Sequence, residues 1–506
     1  MEMKKTLFVK NAAVLTTAGL VLRLFGIVFK IWLTRVVGQA GIGLYQIVFS
    51  FYVLASTFAT TGIPTAVTRI CGDEIAIGRK SGVRRVLVFS AVVIISLSAL
   101  TFFALFFGAE VISKSILFDL RASFSIKVMG FSLPFTGICS CLRGYFIARR
   151  KATPPALSQI FEQIVRILFV FIAVKTLRTS HADIVCGVVM IADAVAEGVS
   201  CIFLALVCRA DLRKLPNANK TPASLSLIVS KLRNIAFPVV CGRYLNSFLR
   251  MFENIMVPKK LVMNGNSSNS ALSQFGMIKG SALPILFFPS TLLNAMSTLL
   301  LPELSIAMSK KKDFAVKSTV EEVVISTSAA AYIISALFFV CGKDLGVLFY
   351  NNRSVGMIIR ALSPIVPLMY LDSICDGMLK GLNKQTFTFV IIVIDSALRL
   401  ILIALFVPKF GLSGFIGIMY FSNAFTGGLN LRMLIKTSRA RINFFKYVLS
   451  PICCAVSVTF VVDIIVKSVI KENALVYIIL VTLFSCAIYC LLISKISGLK
   501  LRRFLK

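Results

Sequence analysis

Arg23 and Lys30 stand seven residues apart inside the apolar run 9–36, and Arg243 and Arg250 repeat that spacing inside the run 234–257. Seven residues is nearly two helical turns, so each pair projects from one helix face. A cation at mid-bilayer costs roughly 3 kcal/mol on insertion scales, and such groups usually face a bundle interior or a water-filled cavity. Four of them describe a cavity that receives an anion. Lys279, in the run 272–301, is a fifth candidate for the same role. Lys30 and Arg250 lie toward the outer third of their runs, where a long side chain also reaches the interface by snorkelling. Arg23 and Arg243 are deeper, and snorkelling explains them less well.

Acidic residues fall into two patterns. Glu162 with Arg166, and Asp395 with Arg399, have the i,i+4 spacing that brings opposite charges together on one helix face. They are read as structural ion pairs, with a gating role as the sharper alternative. Asp193 with Glu197, and Asp372 with Asp376, place like charges at the same spacing. Such neighbours repel, so one member would hold a proton or the pair a cation, making a coupling site for H+ or Na+. Partnership with basic residues of the inner loops is the competing explanation. No catalytic residues are assigned, because no nucleophile–base arrangement is present. There is no phosphate-binding G-x-x-x-x-G-K-[ST] loop, and no cofactor is expected. A single His and thirteen scattered Cys, without a paired C-x-x-C framework, offer no metal site. The cysteines read as small hydrophobes packed between helices.

The elements that must hold these groups are apolar helices. Mean hydropathy is +0.89 and 58% of residues are hydrophobic. A spanning helix needs about 20 apolar residues, and about fourteen runs of that kind are present with short connections. The expected fold class is an all-α polytopic membrane protein. Lys4 and Lys5 precede the first run and Lys10 stands at its start, but it is too long for a signal peptide and Arg23 and Lys30 interrupt it, so it reads as a retained first helix. A net charge of +34 would suit nucleic-acid binding, but its distribution argues for topology. Clusters such as Arg79, Lys80, Arg84 and Arg85, or Arg149, Arg150 and Lys151, fall in alternate loops. That is the positive-inside pattern, which places both termini in the cytoplasm and directs the basic loops at anionic lipid.

The chain also looks duplicated. Gly144–Val174 aligns without gaps on Gly377–Val407, so that Lys151 meets Lys384, Glu162 meets Asp395 and Arg166 meets Arg399. Gly62-Ile63-Pro64 similarly answers to Leu300-Leu301-Pro302. The twin basic pairs then sit in the first helix of each repeat. This divides the chain into a six-helix lobe over 1–215, a second over 216–440, and two further helices with a basic tail over 441–506. Six spans is an even number, so the repeats would share one orientation, and substrate sites in such transporters tend to lie where repeats meet.

Three stretches resemble the stage V sporulation protein B group. They are Gly43-Leu44-Tyr45-Gln46 through Gly62-Ile63-Pro64-Thr65-Ala66-Val67-Thr68-Arg69; Arg143-Gly144-Tyr145-Phe146 on to Pro155 through Gln163; and Pro284 through Phe288-Pro289 to Leu301-Pro302-Glu303-Leu304-Ser305. That group lies in the polysaccharide-transport branch of the multidrug/oligosaccharidyl-lipid/polysaccharide flippase superfamily. The resemblance covers roughly residues 5 to 440. It implies two six-helix lobes about a central cavity, two extra helices, and export of a lipid-linked anionic glycan, with lipid II for peptidoglycan synthesis as the leading case. In lipid II flippases, arginines of the first, second and eighth helices line the cavity. Arg23 falls on the first of these, the next falls at Phe29 beside Lys30, and Lys279 stands loosely for that of the eighth helix. The second span departs from the pattern, with no charged residue between Gly43 and Ala66. The rivals are an exporter of another lipid-linked oligosaccharide, a cation-coupled multidrug exporter, and a non-transporting scaffold of envelope assembly.

Overall fold

The computed structural model describes residues 2–60, 62–215, 225–291, 304, 308, 313–441, 443, 445–470 and 473–497. Pro302 and the part of the run 272–301 beyond 291 therefore lie outside the described residues. The structure is all-α, and among the described residues nine helices are long and apolar enough to cross a membrane. This is a multi-pass membrane protein. The chain forms two compact units, one of Met1–Val262 with Asn266–Gly276 and the other of Met263–Gly265 with Met277–Lys506.

The first unit contains α1 (Glu2–Thr60), α2 (Ile63–Ile77), α3 (Lys80–Val111), α4 (Ser123–Met129), α5 (Leu133–Ala148), α6 (Thr153–Leu177), α7 (Ala182–Arg213), α8 (Leu225–Met263) and α9 (Ser268–Phe275). A straight helix of 59 residues would be about 90 Å long, three times the hydrocarbon thickness. The helix is not straight. It breaks at Gly38, where φ is 72° and ψ −179°, a backbone region essentially reserved for glycine. The break falls between the apolar runs 9–36 and 42–66, so one element carries both expected spans. Beyond it, Gly43 passes so close to α9 that a Cβ would lie 2.2 Å from the Leu272 carbonyl oxygen. Without lipid-excluding hydrophobic drive between helices, such small-residue contacts supply much of the packing. The core joins Val67, Ile70 and Cys71 of α2 to Val83, Val86 and Ile94 of α3, Tyr145 and Phe146 of α5 and Leu204 and Cys208 of α7. Cys139 and Cys141 are buried in the same cluster as small apolar groups.

The second unit contains α10 (Leu283–Phe287), α11 (Asp313–Tyr350), α12 (Arg353–Leu362), α13 (Val366–Gly381), α14 (Gln385–Ser438), α15 (Ser450–Val469) and α16 (Ala474–Ser497). Here α14 repeats the device of α1, breaking at Gly411 (φ 57°, ψ −136°) after Pro408. Proline lacks an N–H and a break frees carbonyls. Asn264 answers the second need, donating to the Pro408 oxygen at 2.9 Å and the Lys409 oxygen at 3.3 Å just ahead of the break. Two apolar clusters fill the unit. One joins α11, α13 and the end of α14 around Val320, Ile374, Met378 and Leu434. The other seats α15 and α16 on α11 through Tyr332, Ile333, Ala455, Val462, Tyr477 and Tyr489, with the Tyr489 hydroxyl donating to the Ala329 oxygen at 2.9 Å.

Gly38 is open to a Cβ, so only backbone strain opposes a side chain there. Gly38→Ala should lower the unfolding free energy of the purified protein in detergent by about 1–3 kcal/mol. Gly72→Ala, equally open but helical, should be neutral or slightly stabilising. Thermal and denaturant unfolding of both variants checks the contrast.

Candidate functional site

Charges gather where α5, α6 and α7 meet. Arg143 Nη2 donates to Glu162 Oε2 at 2.7 Å and to Ser200 Oγ at 3.2 Å, while its Nε donates to Ser158 Oγ at 3.3 Å. Arg166 Nη2 reaches the other oxygen of Glu162 at 2.9 Å, and its Nη1 donates to Gln163 Oε1 at 2.9 Å. The Nε of Arg166 pairs with Asp193, which is only 4% exposed. One carboxylate is thus shared by two guanidinium groups, and one guanidinium by two carboxylates. Buried charges persist only when paired and hydrogen-bonded, and alternation along a chain of this kind meets that condition. Glu197 is buried one turn along α7 from Asp193. The i,i+4 pair Glu162/Arg166 is formed, and the partner of Asp193 is Arg166 rather than an inner-loop base. Arg143 is a member that sequence reasoning missed. The available signal was an arginine inside an apolar run, next to the Gly144 that anchors the repeat alignment.

The second unit arranges aligned positions differently. Arg399 Nη1 lies 3.9 Å from Asp395 Oδ2, and Asp395 Oδ1 accepts from Ser422 Oγ at 2.7 Å. Asp376, which aligns with Arg143, is paired with Lys380 at 2.6 Å. Asp372 accepts from Asn430 Nδ2 at 2.7 Å and from Thr426 Oγ1 at 3.3 Å. Both donors are neutral, and among the described residues no cation pairs with Asp372. The like-charged neighbours Asp372 and Asp376 therefore have different company.

Of the five candidate anion-binding cations, Arg23, Lys30, Arg243 and Arg250 belong to the first unit and Lys279 to the second. Arg23, Arg243 and Arg250 are exposed and Lys30 is half-buried. Lys30 lies on the first arm of α1 next to Phe29, whose ring stacks with Trp32, and Trp32 meets the Phe171 ring of α6 at a tilt. Helix α8 meets the second arm of α1, with Tyr244 edge-on to Phe58 at 4.5 Å and Ser247 Oγ 3.2 Å from Thr57 Oγ1. Arg243 and Arg250 flank that contact on either side. The Nε of Arg250 donates to Asn246 Oδ1 at 3.0 Å. Lys279 sits in a π-helical turn, Gly276–Ala282, with its ammonium 5.8 Å from the centre of the Phe415 ring. π-Turns inside α-helices recur at functional sites because they re-aim a side chain.

The sequence pattern of the polysaccharide biosynthesis protein family matches residues 8–262, just over half of the chain. The chain belongs to that family. Two relatives of this family member come from Bacillus subtilis (strain 168). It is 27% identical to stage V sporulation protein B over 392 residues, 75% of this chain and 74% of the relative. It is 25% identical to the lipid II flippase MurJ over 430 residues, 78% of this chain and 76% of the relative. Among solved structures, lipid II flippase MurJ in an inward closed conformation superposes with a TM-score of 0.72 at 13% identity, covering 98% of this chain and all of that one. An inward-facing multidrug resistance MATE family transporter of the MOP superfamily gives 0.65 at 14% identity, covering 85% and 99%. These likenesses establish a shared polytopic all-α fold.

Arg166 holds two carboxylates, so removing it should be the costliest single change in the α5–α7 network. Arg166→Ala is expected to lower stability by about 3–5 kcal/mol by leaving buried charge unpaired. Adding Asp193→Asn to Arg166→Ala should recover part of that loss. Unfolding midpoints of the single and double variants test this, and identical midpoints would remove Asp193 from the network.

Proposed function

We propose that this protein is a membrane flippase that moves an undecaprenyl-diphosphate-linked glycan, with lipid II as the leading substrate, across the cytoplasmic membrane. The observation that carries this reading is the placement of exposed cations, Arg23, Arg243 and Arg250, on helices of a membrane protein. Exposed charge at membrane depth faces water and not lipid, because the hydrocarbon penalty is large. A cavity lined by several such groups would select a polyanion, and a diphosphate offers the acceptors that guanidinium groups bind in pairs. Lys30 would add a point charge, and Lys279, in the second unit, is proposed separately as a basic contact for the same class of anion, aimed by its π-turn. The relationship to a lipid II flippase over three quarters of the chain supports that choice of anion.

Translocation would proceed by alternating exposure of the cationic face to the two sides of the membrane, while the polyprenyl tail stays in lipid. Both termini are read as cytoplasmic, from the alternation of basic loops. No step makes or breaks a covalent bond, so the protein is read as a transporter and not an enzyme. The driving force is assigned to ion coupling at Asp372. Its neutral donors Asn430 and Thr426 leave a carboxylate whose charge a proton or Na+ would complete. The acids of the first unit, Glu162 and Asp193, already have arginine partners and are read as structural. The family description, polysaccharide biosynthesis, favours a second reading in which another lipid-linked polysaccharide unit is the cargo. A multidrug role fits less well, since cationic drugs require an acidic cavity.

Reconstituted into proteoliposomes, the protein should flip lipid II, and Arg23→Ala and Arg243→Ala should each slow this by about tenfold, the loss of one charge-assisted contact. Full activity in both variants would end the cationic-cavity reading. Transport of a different lipid-linked glycan with no lipid II movement would select the second reading. Asp372→Asn should leave substrate binding intact while abolishing acceleration by an imposed H+ or Na+ gradient. Equal acceleration in the variant would exclude Asp372 from coupling.

A further inference from the structure

The basic cluster at the N-terminal end of α3, read above as a topology signal, borders a groove that topology alone does not require. Lys80, Ser81, Arg84 and Arg85 border an open cavity of about 670 Å³ whose other walls are Val88, Phe89 and Val92. Lys80, Arg84, Val88 and Val92 are spaced by four residues, so they form a single stripe along the helix, basic at its end and apolar below. Arg84, Arg85, Val88 and Val92 are all exposed. Lys80 Nζ donates to the Arg213 oxygen at the end of α7 at 3.4 Å, which ties the cavity rim to a second helix. Arg79 turns the other way, toward buried Glu74 at 4.0 Å. Among the described residues no carboxylate pairs with Arg84. Helix stability does not explain Lys80, since positive charge in a first turn opposes the helix dipole.

The order along the stripe, cationic head region followed by exposed aliphatic side chains at membrane depth, is complementary to a phospholipid: phosphodiester above, acyl chain below. We propose that this groove is a binding site for one anionic glycerophospholipid, of the phosphatidylglycerol class, in the leaflet where the N-terminal end of α3 lies. The phosphodiester sits among Lys80, Arg84 and Arg85, and an acyl chain runs over Val88, Phe89 and Val92. Basic pockets beside membrane helices recognise headgroups by this combination of charge and depth. The site rests on the membrane-spanning fold alone and is independent of which glycan the protein moves.

The test uses the full chain purified in detergent, with phosphatidylglycerol or phosphatidylcholine added and bound lipid counted by native mass spectrometry. Wild-type protein should retain one phosphatidylglycerol in preference to phosphatidylcholine. Each cation removed should weaken retention about fivefold, so Arg84→Gln with Arg85→Gln should lose about 25-fold. Lys436→Gln with Arg439→Gln removes the same charge from the end of α14 and should leave retention unchanged. Undiminished retention in the Arg84/Arg85 variant, or equal loss in the Lys436/Arg439 variant, overturns the site. Displacement of the lipid by millimolar glycerol phosphate would overturn it too, since it would mark a pocket for free phosphate with no use for the apolar stripe. The single variants Arg84→Gln and Arg85→Gln provide the same readout should the double variant not fold.

Discussion

Hydrocarbon offers no partner to a charge or to a backbone amide, and the interior of this protein is arranged around that penalty. In the first unit, charges on three helices are linked so that Glu162 bridges Arg143 and Arg166, and Arg166 in turn holds Asp193. No member could be exposed to lipid at acceptable cost, so the helices that carry them must meet in one arrangement. The same penalty governs the backbone at the interruption of α14, where Asn264 donates to the Pro408 and Lys409 carbonyls just ahead of the break at Gly411. Apolar packing then fills in around positions that charge and backbone have already constrained.

The alignment of Gly144–Val174 on Gly377–Val407 does not carry over into shared chemistry. Positions that align between the halves keep an acid and an arginine one turn apart, yet their surroundings diverge. Arg143 aligns with Asp376, so a position that supplies positive charge in one unit supplies negative charge in the other. One consequence is an arginine-neutralised network in the first unit and, in the second, an aspartate held by an amide and a hydroxyl.

Much of this was legible in the chain before any coordinates. Long apolar runs imply helices whatever their neighbours, because burial of the backbone in lipid leaves few other options. The interruptions of α1 and α14 fall where one apolar run gives way to the next, although neither Gly38 nor Gly411 was singled out from the sequence. The i,i+4 pairing of Glu162 with Arg166 follows from helix geometry. Arg143 and the choice of partner for Asp193 did not follow, because they depend on which faces of α5, α6 and α7 turn toward each other. A local pattern satisfied by one pair conceals a third member supplied from a distant part of the chain. The π-turn at Lys279 was invisible for a related reason, since an extra residue in a helical turn leaves no mark in hydropathy.

The breaks at Gly38 and Gly411 also set how the long helices can move. A connection made through a loop of six residues has about a dozen soft torsions and lets the helices it joins drift independently. Here each pair of arms is joined at one residue, with one φ and one ψ. Each long helix is therefore a two-arm linkage with a single joint, and any change in the angle between its arms must pass through that joint as a concerted swing.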